Sequence, residues 1–314
     1  MKPLVSVAVL TYNSESTVRQ CIDSILLQKT DFAFEIVVGD DCSTDSTRRI
    51  LSDYDNQYPS KFVLLLNEMN EGVSKNNIKV LSHCKGEFVA MCEGDDYWID
   101  ENKLQRQVDF LRVNDDYGFV GAACNELNPD GSMIINGEKD DAYQQGRWVL
   151  DGNVFEYAAI GPVTRTPTIC FRNAIIKPYL SYIGAGNDNV LQAILAKHSM
   201  FARWTLPMAV YRIGGISNGH AGLEKELRYN DYVAENQYLK HKLFPKYCGY
   251  DEEVFLDRAD YIRLKYAIHE KKWKEALGIK KSLRTIQYRK KKYARYLMGP
   301  TSCCFLSLLL KNYG

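Results

Sequence analysis

Residues 85–98 read KGEFVAMCEGDDYW. The apolar stretch from 87 to 92 has the length of a buried strand. It runs into three carboxylates, Glu93, Asp95 and Asp96, gathered round Gly94 and followed by a Tyr-Trp pair. Like charges packed this closely repel, so the arrangement calls for a positive group among them. Working outward, strands are expected at 4–10, 35–39, 62–66 and 118–124, with another at 167–171. Between them lie segments of helical period. Val18, Cys21, Ile22, Ile25 and Leu26 form one apolar stripe, with Ser14 or Ser16 as N-cap. Ile50, Leu51, Tyr54 and Tyr58 form a second, and Leu104, Val108 and Leu111 a third, capped by Asp100. The alternation is that of an α/β fold with a mainly parallel, Rossmann-like sheet flanked by helices. NPDG at 128–131 reads as a turn, and residues 136–152 as a loop.

In such a sheet ligands bind beyond the carboxyl ends of the strands. The first strand ends in TYNSES, which has neither the G-x-G-x-x-G of dinucleotide folds nor a P-loop, and this argues against both chemistries. The second ends in GDDCSTDST and the fourth in CEGDDYW, so two acidic clusters meet on one sheet edge. Either cluster alone is a turn with a helix cap, or a solvated loop. Taken together, carboxylates without Cys or His partners favour a hard ion, Mg²⁺ or Mn²⁺, with phosphate oxygens completing its shell. The expected ligand is therefore a diphosphate.

The chain of 314 residues is 46% hydrophobic, 25% charged and 12% aromatic, a composition that can bury a large core. Its net charge of +1 conceals an asymmetry. Residues 258–295 hold 14 Lys or Arg against 3 acidic residues, which leaves residues 1–257 acidic. No run approaches the roughly 20 apolar residues of a membrane span. The stretch after Lys2 alternates and lacks a cleavage site, so it reads as a strand and not a signal peptide. The 9 cysteines, an odd number without a C-x-x-C pair, fit reduced thiols in a cytoplasmic protein.

Five stretches in order carry a family resemblance: VSVAVLTYN from residue 5, EIVVGDDCSTDST at 35–47, NEGVSKN at 70–76, KGEFVAMCEGDDYW at 85–98 and GNDNVLQAILAK at 186–197. Over roughly residues 3–220 the chain resembles the inverting family 2 glycosyltransferases of GT-A fold. The resemblance implies that Tyr12 and Asp41 line a nucleotide base pocket, with Thr11, Asn13 and Asn76 from the same motifs as further nucleotide contacts. It implies Asp95 near the ribose and Asp96 on a divalent cation that bridges the donor diphosphate. Glu93 stands where the family usually has Asp. Asp188 matches the general base, and Asn187 stands where another acidic residue commonly precedes it. Glu93, Trp98, Asn187 and Arg212 are candidate donor or acceptor contacts, and Arg165 and Arg172 flank a segment that faces the same region. Without the resemblance, Asp188 reads as an N-cap and Arg212 as an exposed turn residue. QQGRW at 144–148 matches the Q-x-x-R-W of processive synthases, but it precedes Asp188 and lacks accompanying membrane helices.

The implied domain is residues 1–222, with a nucleotide-binding half at 1–125 and an acceptor half at 126–222 that includes a glycine-rich lid at 214–222. A helical basic extension occupies 223–314. The expected partners are a nucleotide-sugar donor, with a UDP-sugar favoured, and a glycan or lipid-linked acceptor. Residues 271–298 offer either a peripheral contact with the inner face of the cytoplasmic membrane or a solvated basic face. Nucleic acid is not expected, because no recognised module accompanies the charge. Two other readings remain: a sugar nucleotidyltransferase, which would want a basic Gly-rich loop after the first strand, and a catalytically inactive sugar-nucleotide-binding relative.

Overall fold

The computed structural model describes residues 2–137, 148–183, 188–214, 222–250, 252–276 and 278–279. Asn187, most of the lid, residues 144–147 of the QQGRW stretch and the basic segment from 280 onward lie outside the described residues. The chain forms two compact units, Met1–Gly219 with Leu239–Cys248, and His220–Tyr238 with Gly249–Gly314.

The first unit begins β1 (Val5–Thr11), α1 (Val18–Leu26), β2 (Phe34–Asp40), α2 (Thr47–Gln57), β3 (Phe62–Leu66), α3 (Val73–His83) and β4 (Phe88–Met91). Next come β5 (Tyr97–Trp98), α4 (Lys103–Val113), β6 (Tyr117–Leu127), β7 (Met133–Ile134) and β8 (Trp148–Gly152). It continues through α5 (Phe155–Ile160), β9 (Cys170–Arg172), α6 (Asn173–Ile176), α7 (Asp188–His198) and β10 (Met200–Arg212). The sheet runs β3-β2-β1-β4-β9-β6-β10-β5, with β7 on β6 and β8 on β10. Strands β3, β2, β1 and β4 are parallel, whereas β9 runs against both of its neighbours.

β1 and β2 read as mainly apolar runs, interrupted by Ser6 and Glu35, because both of their faces are covered. Val5, Val7, Val9, Ile36 and Val38 pack with Cys21 and Ile22 of α1, Leu51 of α2 and Leu104 of α4. Ala8 and Val37 face the other way, toward Val80 of α3, Ala158 of α5 and Leu191 of α7. The period-2 alternation of the strands thus feeds two cores. The turn at Asn128 closes as expected, with Gly131 at φ +84° and its N–H donating to the Asn128 carbonyl at 3.0 Å.

Four local expectations are corrected. Residues 148–152 are a strand and not part of a loop, because Phe201–Trp204 of β10 supplies an antiparallel partner. Thr166–Thr168 is a 3₁₀ turn, so the strand expected from 167 begins at Cys170. Neither Ser14 nor Ser16 caps α1: the helix begins after Thr17, and the Ser14 hydroxyl turns back to the Tyr12 carbonyl at 3.3 Å. Asp100 likewise precedes the true N-cap position at Asn102, donates no cap to α4, and accepts the Asn102 N–H at 2.8 Å.

The second unit holds most of α8 (Leu223–Leu243) and α9 (Glu252–His269). Within it Asn230 donates to the Phe255 carbonyl at 3.1 Å, and Tyr266 donates to Glu226 at 3.0 Å. Among the described residues no helix is long and apolar enough to cross a membrane.

Candidate active site

The strand order places β1 between β2 and β4, so the chain departs from β1 in opposite directions at this point, which is where open α/β sheets hold their ligands. β4 pairs with β1 from Val5↔Phe88 to Ala8↔Met91, and the following loop continues along the end of β1. Cys92 N–H donates to the Ala8 carbonyl at 3.1 Å and Gly94 N–H to the Leu10 carbonyl at 2.8 Å. A Cβ at position 94 would lie 2.7 Å from Thr11 Cγ2 and 3.0 Å from the Leu10 oxygen, so this approach requires glycine. Thr17 of the loop before α1 donates to the Gly94 carbonyl at 2.9 Å, and Asp96 N–H closes the turn on the Glu93 carbonyl at 2.9 Å.

This turn gathers Glu93, Asp95 and Asp96, with one carboxylate oxygen of each lying within 4.8 Å of the others. The end of β10 meets them. Arg212 N–H donates to Asp96 Oδ1 at 2.8 Å, and its guanidinium lies 4.9 Å from the Tyr97 ring centroid, donating to the Asp95 carbonyl and to Gln20. Asp96 is fully buried, yet its Oδ2 accepts no hydrogen bond. Leaving a buried acceptor unmade is costly, more so when the group is charged. Three clustered carboxylates with one orphaned oxygen form a donor set that fits a hard divalent cation.

The electrostatics agree with that fit. Burial, then the charges of Asp96, Asp95 and Asp188, pushes the Glu93 carboxyl well above its ordinary range. Burial and the charge of Asp95 raise Asp96 strongly, against the opposing pull of Arg212 and Arg165. Burial also raises Asp95. Burial and the charges of Glu93 and Asp96 push the Tyr211 hydroxyl up to about 12. The pocket is therefore over-supplied with negative charge for a protein alone.

Asp188 opens α7, and its Oδ2 accepts from the Thr166 hydroxyl at 3.1 Å. Thr166 was not among the residues singled out from sequence, since it sits in a turn without periodicity. Its neighbour Arg165 pairs with Glu126 at 2.8 Å and lies 4.7 Å from the Tyr211 ring centroid, so it does face this region. Arg172 does not. It pairs in register with Phe88, at the amino end of β4, and donates to the Tyr117 carbonyl at 3.0 Å on the far edge of the sheet.

The loop after β2 divides its acids between two tasks. Fully buried Asp40 accepts from Thr11 at 3.1 Å, the Ser43 N–H at 3.0 Å and Arg48 at 2.7 Å. Asp41 Oδ1 accepts from Asn67 at 3.0 Å and from the Glu71 N–H at 2.8 Å, and Oδ2 from the Gly72 N–H at 2.8 Å. Asn13, at φ +49°, accepts the Thr44 N–H at 2.8 Å, while Tyr12 is exposed beside it. The Thr11 hydroxyl and the Asn76 side chain are turned into the protein, Asn76 donating to the Gly39 carbonyl at 2.8 Å. Trp98 is also turned inward. Its indole donates to the Pro167 carbonyl at 2.8 Å, and the buried Lys103 ammonium lies 4.1 Å from its ring centroid. These three side chains shape the walls from behind, and none of them lines the opening.

An α/β domain with an acidic, cation-fitting loop at the switch point beside β1 and a carboxylate at a facing helix start has the layout of a GT-A domain. Residues 6–151 match the family model described as Glycosyl transferase family 2. It is 35% identical over 111 residues to the Escherichia coli protein named UDP-Glc:alpha-D-GlcNAc-diphosphoundecaprenol beta-1,3-glucosyltransferase WfgD, a match covering 35% of this chain and 42% of that one. Mycobacterial relatives that are 43% identical over 149 residues are likewise matched over 41% of their length, so the chain spans about two-fifths of these relatives. In fold it is similar to S. aureus TarS 1–349 in complex with UDP-GlcNAc, with a TM-score of 0.53 at 19% identity over 90% of this chain and 91% of that one. It is also similar to the mannosyltransferase PcManGT from Pyrobaculum calidifontis in complex with GDP-Man and Mn²⁺, with a TM-score of 0.53 at 17% identity over 99% and 80%.

Proposed function

We propose that the chain is an inverting glycosyltransferase, moving a sugar from a nucleoside diphosphate donor to a hydroxyl of a glycan or lipid-linked acceptor. The observation that carries this reading is the orphaned Oδ2 of buried Asp96, inside a three-carboxylate turn at the sheet's switch point. Glu93, Asp95 and Asp96 would hold a divalent cation, Mn²⁺ or Mg²⁺. When bound, such an ion offsets the charge of a departing diphosphate. The complex of PcManGT with GDP-Man and Mn²⁺ is consistent with this choice.

The chain's own residues supply the rest. Tyr12, Asn13 and Asp41 stand round the base, with Thr11 and Asn76 bracing that loop. Asp95 lies near the ribose. Arg212 fixes Asp96 from the end of β10, and Arg165, held by Glu126, adds a positive charge at the facing wall. Asp188 takes the proton from the acceptor hydroxyl while that oxygen bonds to the anomeric carbon and the carbon–oxygen bond to the diphosphate breaks. Thr166 donates to Asp188 Oδ2 and so helps to fix the carboxylate at the start of α7. Asp188 sits at a helix start, where the dipole favours its ionised form. A single displacement with a carboxylate base inverts the anomeric centre.

The acceptor reading draws on the relative WfgD, a glucosyltransferase named for a diphosphoundecaprenol-linked sugar. The basic stretch 271–298 would bring the chain to an anionic leaflet, since each Lys or Arg near such a surface contributes about 1 kcal/mol. The stereochemistry is tested by proton NMR of the product made from an α-linked donor. A β-linked product is expected, and an α-linked product would rule out inversion.

A further inference from the structure

The carboxylate of Asp41 is held by a chain of side chains that starts outside the family motifs. Lys79, half-buried on α3, donates from Nζ to Asn67 Oδ1 at 2.6 Å. Asn67, only 3% exposed at the end of β3, donates from Nδ2 to Asp41 Oδ1 at 3.0 Å. Its backbone N–H is fixed on the Asp40 carbonyl at 2.9 Å, and its backbone carbonyl accepts from Arg48. Among the described residues the Asn67 amide has one further side-chain contact, a long one of 3.5 Å from Nδ2 to Asn76 Oδ1.

The direction of this chain follows from donor and acceptor inventory. An ammonium only donates and an ionised carboxylate only accepts. The Asn67 amide therefore satisfies both neighbours in one orientation, oxygen toward Lys79 and nitrogen toward Asp41. Turning it over would set oxygen against oxygen at Asp41 and N–H against N–H at Lys79. With Asn67 fixed, Asp41 Oδ1 already accepts two donors and Oδ2 accepts one, from Gly72. A carboxylate oxygen has room for about two donors, which leaves Oδ2 with one open acceptor position.

We propose that Lys79, acting through Asn67, orients the Asp41 carboxylate so that the open acceptor position on Oδ2 meets the donor base, and so favours bases that present a ring N–H, uracil or guanine, over cytosine, whose ring nitrogen is itself an acceptor. This rests on the reading of Asp41 as the base contact. Lys79 is a positioning residue. A site built to bond a donor rejects an analogue lacking it, because the buried acceptor is then left unpaired.

The experiment is calorimetric titration of the full chain with UDP, GDP and CDP in the presence of Mn²⁺, for the wild type, Lys79→Met, Lys79→Arg and Asn67→Asp. The wild type is expected to bind UDP or GDP at least about tenfold more tightly than CDP. Lys79→Met and Asn67→Asp are expected to lose most of that ratio through weaker UDP or GDP binding, with CDP affinity unchanged, while Lys79→Arg retains it. A merely structural role would weaken all three ligands together. Wild-type binding with the ratio intact in Lys79→Met and Asn67→Asp overturns the relay and leaves the donor reading standing. Equal wild-type affinity for CDP overturns the base restriction. No binding of any of the three overturns the donor reading and the relay with it.

Discussion

Asp188→Asn is expected to lower sugar transfer by roughly 10²–10⁴-fold while leaving donor affinity within about twofold, the signature of a lost general base. The substitution is nearly isosteric. An Asn oxygen can still accept from Thr166, which lies 3.1 Å from Oδ2 in the wild type, so the start of α7 keeps its geometry. What disappears is the capacity to take a proton. Steady-state kinetics with the natural donor, alongside donor titration, separates the two effects. A kcat within a few-fold of wild type would remove Asp188 from the base role.

Asp96→Asn is expected to abolish metal-dependent donor binding and, at the same time, to stabilise the cation-free protein at neutral pH by ~1–3 kcal/mol. The opposite signs share one cause. Burial raises Glu93, Asp95 and Asp96, and neighbouring carboxylates add to the rise of Glu93 and Asp96, so the folded chain keeps protons that the unfolded chain releases near the ordinary carboxylate range. Where the folded state binds more protons, stability falls as pH rises. The cation-free wild type should therefore melt at progressively lower temperature as pH climbs from the ordinary carboxylate range toward the raised values. Asp96→Asn should flatten that slope, because one charge is gone while its Oδ1 position can still accept from Arg212. Mn²⁺ should restore the wild type and not the variant. Melting curves between pH 4.5 and 8, with Mn²⁺ and with chelator, measure all of this. A variant that melts lower than wild type at neutral pH without metal would contradict the account.

The two contrasting fates of the acidic loops explain what could be read from sequence. The strands were legible because β1 and β2 are buried on both faces and appear as mainly apolar runs, interrupted by Ser6 and Glu35, and the stripe Val18, Cys21, Ile22 and Ile25 is buried as the helical period requires. The acidic turn after β4 was legible because its three carboxylates lie within four residues. Side-chain direction was not. Thr11, Asn76 and Trp98 belong to the right stretches but face inward, each toward a partner at least 28 positions away in the chain. Arg172 lies close in sequence to the site segment, and antiparallel pairing of β9 carries it to the opposite edge. Thr166 and the Lys79–Asn67–Asp41 chain depend on contacts across elements, which no local periodicity encodes.

The most direct test of the account is the melting temperature of the full chain with UDP, GDP, dTDP and CDP, each measured with Mn²⁺ and with chelator. The account predicts stabilisation by at least one of the uracil, thymine or guanine nucleotides, present with Mn²⁺ and lost with chelator. No metal-dependent stabilisation by any of the four would contradict it.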